Sequence, residues 1–348
     1  MAGRNRIIRA SKRTPCLVCD GRAWPCYYFD NKEVAGCKNV SSDRQDRDGV
    51  YLHVLVTRDN PVRPRLVPQV ERKPPVVTAD ADHLHLVYES VLRGLSLSSE
   101  RLGRLRARGL NDKAIEANGY RDTPNREQAV RIAQRLSPLG LGGVPGFYFS
   151  GLDWRMVACL PGHFVPYRDI AGRISGLSYR LDVPLVDEKG KVTAKYLWLS
   201  SNPEVTLDDG RQKFPQGTKL TPPLHFSGAG RLSSVRDILL TEGALKADVA
   251  AHLLGASIIG AGGVTQWGGG FAQRFKREFP GKRAVICYDS DWRSNPHVRH
   301  ALESLMANLR DADVRFVVRS WPEYPKAKGI DDLALVLSQS KGEGVRAA

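Results

Sequence analysis

Three acidic signals in the last third of the chain, each beyond an expected strand, limit the folds open to it more than any other feature. They are Asp237-Ile-Leu-Leu-Thr-Glu242-Gly243, then Arg283-Ala-Val-Ile-Cys-Tyr-Asp289-Ser-Asp291, then Lys328-Gly-Ile-Asp331-Asp332. The first two close short β-rich runs and are followed by segments of helical period, and the third lies beyond a fourth run, Val314-Arg-Phe-Val-Val-Arg-Ser-Trp. Such alternation makes a βαβ array around a parallel sheet. The carboxyl ends of its strands line one crevice, so Glu242, Asp289 and Asp291 are expected to meet there. Carboxylates gathered so closely stay ionised only if a cation neutralises them. The chemistry this suggests is Mg²⁺-assisted phosphoryl transfer.

The 348 residues suffice for two or three domains, and 42% hydrophobic with 26% charged residues is the balance of a soluble globular protein. No run approaches 18 apolar residues, and the opening Met-Ala-Gly-Arg-Asn-Arg-Ile-Ile-Arg lacks the apolar core of a signal peptide. The expectation is a cytoplasmic protein, of a bacterial or phage-infected cell, without a membrane partner. A net charge of +15 favours a polyanionic partner. The basic character is concentrated at the front, with 15 Lys and Arg against 8 Asp and Glu in residues 1–75. Acidic clusters within a basic protein suit metal-binding carboxylates that work on nucleic-acid phosphates.

Four of the six cysteines, Cys16, Cys19, Cys26 and Cys37, lie within 22 residues, which in a reducing cytoplasm argues for Zn²⁺ rather than disulfides. Cys16-x2-Cys19 is a zinc knuckle, and a hairpin around Asp30-Asn31 would carry Cys37 back towards it. Cys26 stands at an unusual spacing, and His53 is the alternative ligand. A purely structural zinc ribbon is the favoured role. Residues 57–80 hold five prolines and read as a stiff, positively charged linker.

From Asp82 to Leu136 the period is helical, with Leu84, Val87, Tyr88, Val91, Leu92 and Leu95 on one face and Asn111 and Asn125 as caps. Arg101, Arg104, Arg106, Arg108, Arg131 and Arg135 on the other faces read mostly as solvated charge. Between Pro161 and Ser201 the period is two. His163 to Ile170, a turn at Ala171-Gly172, and Arg173 to Arg180 form a hairpin, and Lys195-Tyr-Leu-Trp-Leu-Ser follows as a further strand. Arg168, Arg173, Arg180 and Lys195 on these strands suggest a positive floor for phosphates.

Glu242-Gly243, Asp289-x-Asp291 and Lys328-Gly-Ile-Asp331-Asp332, in that order, resemble the TOPRIM domain of primases, topoisomerases and some nucleases. Phe164-Val-Pro-Tyr-Arg-Asp-Ile-Ala-Gly-Arg-Ile-Ser-Gly-Leu-Ser-Tyr-Arg, with Lys195-Tyr-Leu-Trp-Leu-Ser-Ser, resembles the basic subdomain of bacterial DnaG-type primases. Thr241-Glu-Gly-Ala-Leu-Lys-Ala-Asp248 is similar to the phage and plasmid branch. The resemblance covers roughly residues 16–335. It implies a zinc-ribbon-like module at 1–56, the linker at 57–80, and an α+β helical and basic subdomain at 81–230. A Rossmann-like, mostly parallel α/β TOPRIM domain at 231–340 and a disordered tail at 341–348 would follow. The zinc module departs from the family in lacking a Cys-x2-His opening, the last acidic motif is Asp331-Asp332 rather than Asp-x-Asp, and no helicase domain follows. The chain therefore reads as a minimal primase or a piece of a larger one.

The resemblance implies synthesis of RNA primers from ribonucleoside triphosphates on single-stranded DNA, with a replicative helicase as a further partner. Asp289, Asp291 and one of Asp331 and Asp332 would hold Mg²⁺ or Mn²⁺, and Glu242 would be a ligand or a proton acceptor. Arg173, Arg180 and Lys195 would neutralise phosphates, with Lys246 adding to the anion-attracting start of a helix. The rivals are a TOPRIM nuclease, a topoisomerase, and a non-catalytic single-stranded-DNA-binding replication protein. A topoisomerase needs a nucleophilic tyrosine presented by another domain, and no segment is built to offer one.

Overall fold

The computed structural model describes residues 7–11, 13–19, 26–29, 34–40, 42, 44–46, 50–55, 77–208, 210–321 and 327–346. The chain divides into two compact units, Met1–Pro75 and Val76–Ala348. The expected linker falls mostly outside the described residues, as does the tip of the expected hairpin at Asp30-Asn31.

In the first unit β1 (Ile7–Arg9), β2 (Tyr27–Phe29), β3 (Val34–Cys37) and β4 (Tyr51–Val54) form an antiparallel sheet in sequence order. Its small core is Ala10, Cys16, Cys26, Cys37 and Val40, with Val18 and Cys19 against it. A core in which cysteines outnumber aliphatic side chains is too small to hold a domain by burial alone. A unit of this kind relies on a staple.

The second unit opens with α1 (Ala81–Arg93), α2 (Ser99–Ala107), α3 (Asp112–Asn118), β5 (Arg121–Asp122) and α4 (Arg126–Leu136). The Asp80, Asn111 and Asn125 side chains cap α1, α3 and α4, and Gln128 completes a capping box on α4. β6 (Phe147–Phe149) and β7 (Trp154–Met156) make a small hairpin. Then come β8 (Gly162–Arg168), β9 (Ile174–Val186) and β10 (Val192–Trp198), which with β5 form an antiparallel sheet in the order β10-β9-β8-β5. The alternating inward residues Phe164, Leu177, Tyr179 and Leu181 meet Leu84, Val87, Tyr88, Val91 and Ile132 of α1 and α4. Each such side chain contributes about 1.5–3 kcal/mol on full burial.

β11 (His225–Ser227), β12 (Asp237–Glu242), β13 (Ile258–Ala261), β14 (Arg283–Ile286) and β15 (Phe316–Val318) form the second sheet, in the order β11-β13-β12-β14-β15. All its pairs are parallel except the edge pair β11–β13. Helices α5 (Ala244–Leu254), α6 (Phe271–Glu278), α7 (Pro296–Asp311) and α8 (Ile330–Arg346) cover it. Ile238, Leu240, Ile259 and Ile286 point to α6 and α7 through Phe271, Phe275, Leu302 and Leu305. Ile258, Val285 and Cys287 point to α5 and α8 through Ala247, Ala250, Ala251 and Ala334. The alternation of faces along each strand produces the three layers.

Helix α8 runs from Ile330 to Arg346, the Ser338 and Ser340 hydroxyls donating back to the carbonyls of Leu335 and Val336.

Helix α5 is buried nearly all round because it packs on the parallel sheet and also on Leu105, Leu110, Ile115, Tyr120, Val165 and Tyr167 from the preceding segment. Its single internal carboxylate, Asp248, is buried and accepts from Tyr120 Oη (2.5 Å), His225 Nε2 (2.8 Å) and Ser227 Oγ (2.8 Å). The backbone N–H of Arg168 donates to His225 Nδ1 at 3.0 Å, which places the ring proton on Nε2, facing Asp248. One carboxylate on α5 thus holds β11 and Tyr120, between α3 and β5, directly, and β8 through the His225 ring.

His163 on β8 is also buried, with neither ring nitrogen hydrogen-bonded among the described residues. Burial, with the charges of Arg180 and Arg101 nearby, pushes its pKa down from 6.5 to about 4. The unfolded chain takes up this proton near pH 6.5 while the folded one refuses it until about pH 4. Stability is therefore full above pH 6.5 and declines as pH falls towards 4, by up to about 3 kcal/mol. Urea unfolding of His163→Leu across that range is expected to show a flatter decline than the parent protein.

Candidate active site

Each acidic motif lies at a carboxyl end of the parallel sheet. β12 ends on Glu242, and Gly243, at φ 88°, turns the chain directly into α5. β14 runs on through the buried Cys287 and Tyr288 to Asp289, where the chain enters a 3₁₀ turn over Ser290–Arg293 that presents Asp291. The 327–332 segment closes the site from the start of α8.

Three basic side chains stand among these carboxylates. Lys246 Nζ, one helical turn into α5, donates to Glu242 Oε1 at 2.7 Å and to Asp289 Oδ1. Lys328 Nζ lies 2.7 Å from Asp291 Oδ2 and 3.8 Å from Asp289 Oδ2. Arg108, at the end of α2, donates to Asp331 Oδ2. Two carboxylate oxygens, Glu242 Oε2 and Asp331 Oδ1, are buried with no partner among the described residues.

The segment leaves no room for a side chain at Gly329. A Cβ there would lie 2.5 Å from Asp331 Oδ1, 3.0 Å from Asp289 Oδ1 and 3.4 Å from Lys246 Cε. Asp331, Asp289 and Lys246 therefore converge on one point of backbone. Asp332 is used differently: its Oδ2 accepts from the N–H groups of Lys328 (3.2 Å) and Gly329 (3.1 Å), so it shapes the loop. Burial raises Glu242 to about 7, with Asp289 adding to the rise and Lys246 opposing it. Burial also works to raise Asp289, yet its contact with Glu242 and the charge of Lys246 hold it below the usual carboxylate range. Lys246 is pulled down by burial, but Glu242 and Asp289 outweigh that and keep it charged.

An all-oxygen, carboxylate-rich donor set suits a hard divalent cation such as Mg²⁺ or Mn²⁺. Among the described residues no three of these carboxylates bring oxygens within 4.8 Å of one another; the Asp289–Asp291 pair is bridged by the exposed Lys328, and Glu242 Oε2 and Asp331 Oδ1 are unpartnered.

The four other basic candidates divide. Arg168 donates to the carbonyls of Gly172 (3.0 Å), Ala117 (3.3 Å) and Asn118 (3.4 Å), tying the β8–β9 turn to the end of α3. Arg173 pairs with Asp169 (2.8 Å) and Asp82 (3.0 Å). Arg180 is half-buried on β9 and Lys195 is exposed on β10. At the end of β10, Trp198 packs on Tyr167 at 4.6 Å and reaches the backbone at Gly262 beyond β13, so the basic sheet adjoins the strand ends that carry the carboxylates.

Sequence reasoning quoted Lys328 and Asp248 without a role and took Arg108 mostly for solvated charge. The available clues were a lysine three residues before Asp331 and a lone carboxylate on an otherwise apolar helix.

In the first unit the sulfurs of Cys16, Cys19, Cys26 and Cys37 all lie within 4.8 Å of one another, the one such group of His, Cys, Asp or Glu among the described residues. Four thiolates around Zn²⁺ at about 2.3 Å need sulfurs about 3.8 Å apart, so this group could bind zinc. Asn39 Nδ2 (3.2 Å) and the Lys38 N–H (3.4 Å) donate to Cys19 and Cys26, as partners of thiolate ligands do. His53 stands apart, bonded to the Val40 carbonyl at 2.9 Å. Bound zinc is expected to fall well below one per chain in Cys26→Ser and to stay at the parent level in His53→Ala. Atomic absorption of the purified proteins checks both.

Residues 234–341 match a family described as a domain of unknown function, DUF3854. No curated protein sequence matches the chain. Among solved structures, the Aquifex aeolicus primase, comprising zinc-binding and RNA polymerase domains, matches with a TM-score of 0.54 at 16% identity. That match covers 76% of this chain and 60% of the Aquifex chain. The fold is that of DnaG-type primases. The RNA polymerase domain of Mycobacterium tuberculosis primase DnaG matches with a TM-score of 0.53 at 16% identity, over 75% of this chain and 82% of that one. The same domain solved with a double-stranded DNA oligomer bearing a 6-nucleotide overhang gives 0.52 at 15%, over 78% and 82%. At such identities the likeness is one of fold. None of the helices among the described residues is long and apolar enough to cross a membrane.

Proposed function

We propose that the chain is a DNA primase that makes short RNA primers on single-stranded DNA from ribonucleoside triphosphates, for phage or plasmid replication. The observation that carries this is the gathering of Glu242, Asp289, Asp291 and Asp331 beside the basic sheet of β8, β9 and β10, within a primase-type fold. In this reading residues 231–340 are a TOPRIM catalytic subdomain and 81–230 its helical and basic partner. Residues 1–56 form the zinc module, tethered by 57–80, and a replicative helicase is the natural further partner.

A bound Mg²⁺ or Mn²⁺ would supply charge neutralisation at the triphosphate and at the attacking 3′-hydroxyl. Asp289 and Asp291 would hold the ion, with Glu242 completing the carboxylate wall. Arg108, at the end of α2, pairs with Asp331 and so ties the start of α8 to the helical segment. Arg180 on β9 and Lys195 on β10 are the basic side chains of the sheet that would take template or nucleotide phosphates. Arg168 and Arg173 act indirectly, by holding the β8–β9 turn.

The test is incorporation of labelled ribonucleotides on single-stranded DNA with Mg²⁺ or Mn²⁺. Cleavage of the DNA in place of RNA synthesis would favour the nuclease reading.

A further inference from the structure

Four carboxylates face the site, and each of them already has a cation of the protein's own within salt-bridge distance: Lys246 at Glu242 and Asp289, Lys328 at Asp289 and Asp291, Arg108 at Asp331. These cations are not equivalent. Lys246 is 24% exposed and its acceptors Glu242 and Asp289 are 15% and 18% exposed. It projects from a helix buried nearly all round, and its Cε lies against the Gly329 backbone. Arg108 is anchored on Asp331, itself 3% exposed. Lys328 is 61% exposed and sits on a loop outside the helix. Moving Lys328 into water costs little, whereas moving Lys246 would strand two half-buried carboxylates.

Building on the primase reading, we propose that Lys246 is a resident cation that holds Glu242 and Asp289 in place of a divalent ion. The chain then takes a single divalent cation, at Asp289 and Asp291, where it replaces the ammonium of Lys328. The charge balance supports one ion. With the cations Lys246 and Arg108 fixed against four carboxylates, the wall carries at most a net charge of −2 once Lys328 has left. One divalent ion neutralises it, and a second would leave an uncompensated positive charge in a partly buried site. Asp331 Oδ1, buried and unpartnered among the described residues, converges with Asp289 Oδ1 on the Gly329 backbone, so unsatisfied carboxylate oxygen adjoins the Asp289–Asp291 pair. Lys328, once released, remains on the rim of the site, where an incoming triphosphate is the nearest anion.

The experiment is titration of Mn²⁺ into the full zinc-loaded chain without nucleotide, free Mn²⁺ being read by electron paramagnetic resonance. The parent protein is expected to bind one Mn²⁺. Lys246→Met is expected to bind two, and Lys246→Arg one. Lys328→Met is expected to keep one site and tighten it by up to about fivefold, the worth of an exposed ion pair. Two Mn²⁺, or none, in the parent protein would overturn the proposal, whatever the variants do. So would an unchanged count in a Lys246→Met protein whose circular dichroism melt matches the parent. The outcome is separable from that of the primase reading, because metal stoichiometry is measured without any synthesis: one Mn²⁺ with no RNA product would sink the function alone, and two with RNA product would sink this inference alone.

Discussion

Asp289→Asn is expected to lower ribonucleotide incorporation by about a thousandfold while leaving the protein folded. Loss of one preorganised charge at a phosphoryl-transfer site costs at least as much as loss of one oxyanion donor, about 10²–10³ in rate. The fold is spared because asparagine keeps the shape and an oxygen for Lys246, which retains Glu242 as its charged partner. Asp332→Asn is the informative contrast. Its carboxylate serves the Lys328 and Gly329 N–H groups, so the expected effect is a loss of about 0.5–2 kcal/mol of stability, as for a helix cap. Synthesis should fall far less than in Asp289→Asn. Equal losses in the two variants would mean that the carboxylate wall is drawn wrongly.

Asp248→Ala is expected to produce the largest change in stability, about 3–5 kcal/mol, measured as a lower urea midpoint at constant slope. The substitution leaves three buried donors, Tyr120 Oη, His225 Nε2 and Ser227 Oγ, without an acceptor. Burial alone would raise the Asp248 carboxyl, yet His225, Tyr120 and Ser227 together hold it below its ordinary value. A carboxylate so depressed adds stability above its unfolded pKa of about 4, and that stability is lost as pH falls further. The parent protein should therefore lose this contribution below about pH 4, and Asp248→Ala should have none to lose. A shift below 1 kcal/mol in Asp248→Ala would show that the network is not what joins the two sheets.

What the sequence disclosed was local. Asp289-x-Asp291 stood out because Arg283 to Tyr288 is a short β-rich run with an acidic end, and the parallel pairing of β12 with β14 places it beside Glu242 as the βαβ pattern implies. Asn111 and Asn125 were legible as caps because a cap acts within three residues. The β8–β9 hairpin followed from its period and its turn at Ala171-Gly172. The edge strand β11 was not legible, because three residues become a strand only by pairing with β13, about thirty positions on. Arginine roles were equally hidden. Arg168 reads as a phosphate ligand until the carbonyls of Ala117 and Asn118 close around it, some fifty residues away in sequence. The same holds for Arg108, whose partner Asp331 lies 223 residues away. Cys26 was doubtful from spacing alone, since only the folded β2–β3 pairing brings its sulfur beside Cys16, Cys19 and Cys37.

The most direct measurement of the central claim is a denaturing gel of products from single-stranded DNA, labelled ribonucleotides and Mg²⁺ or Mn²⁺, run before and after alkali. The parent protein is predicted to give short, alkali-labile, template-dependent products that vanish with chelator and in Asp289→Asn. No such product on any template with either metal, or an undiminished product from Asp289→Asn, would contradict it.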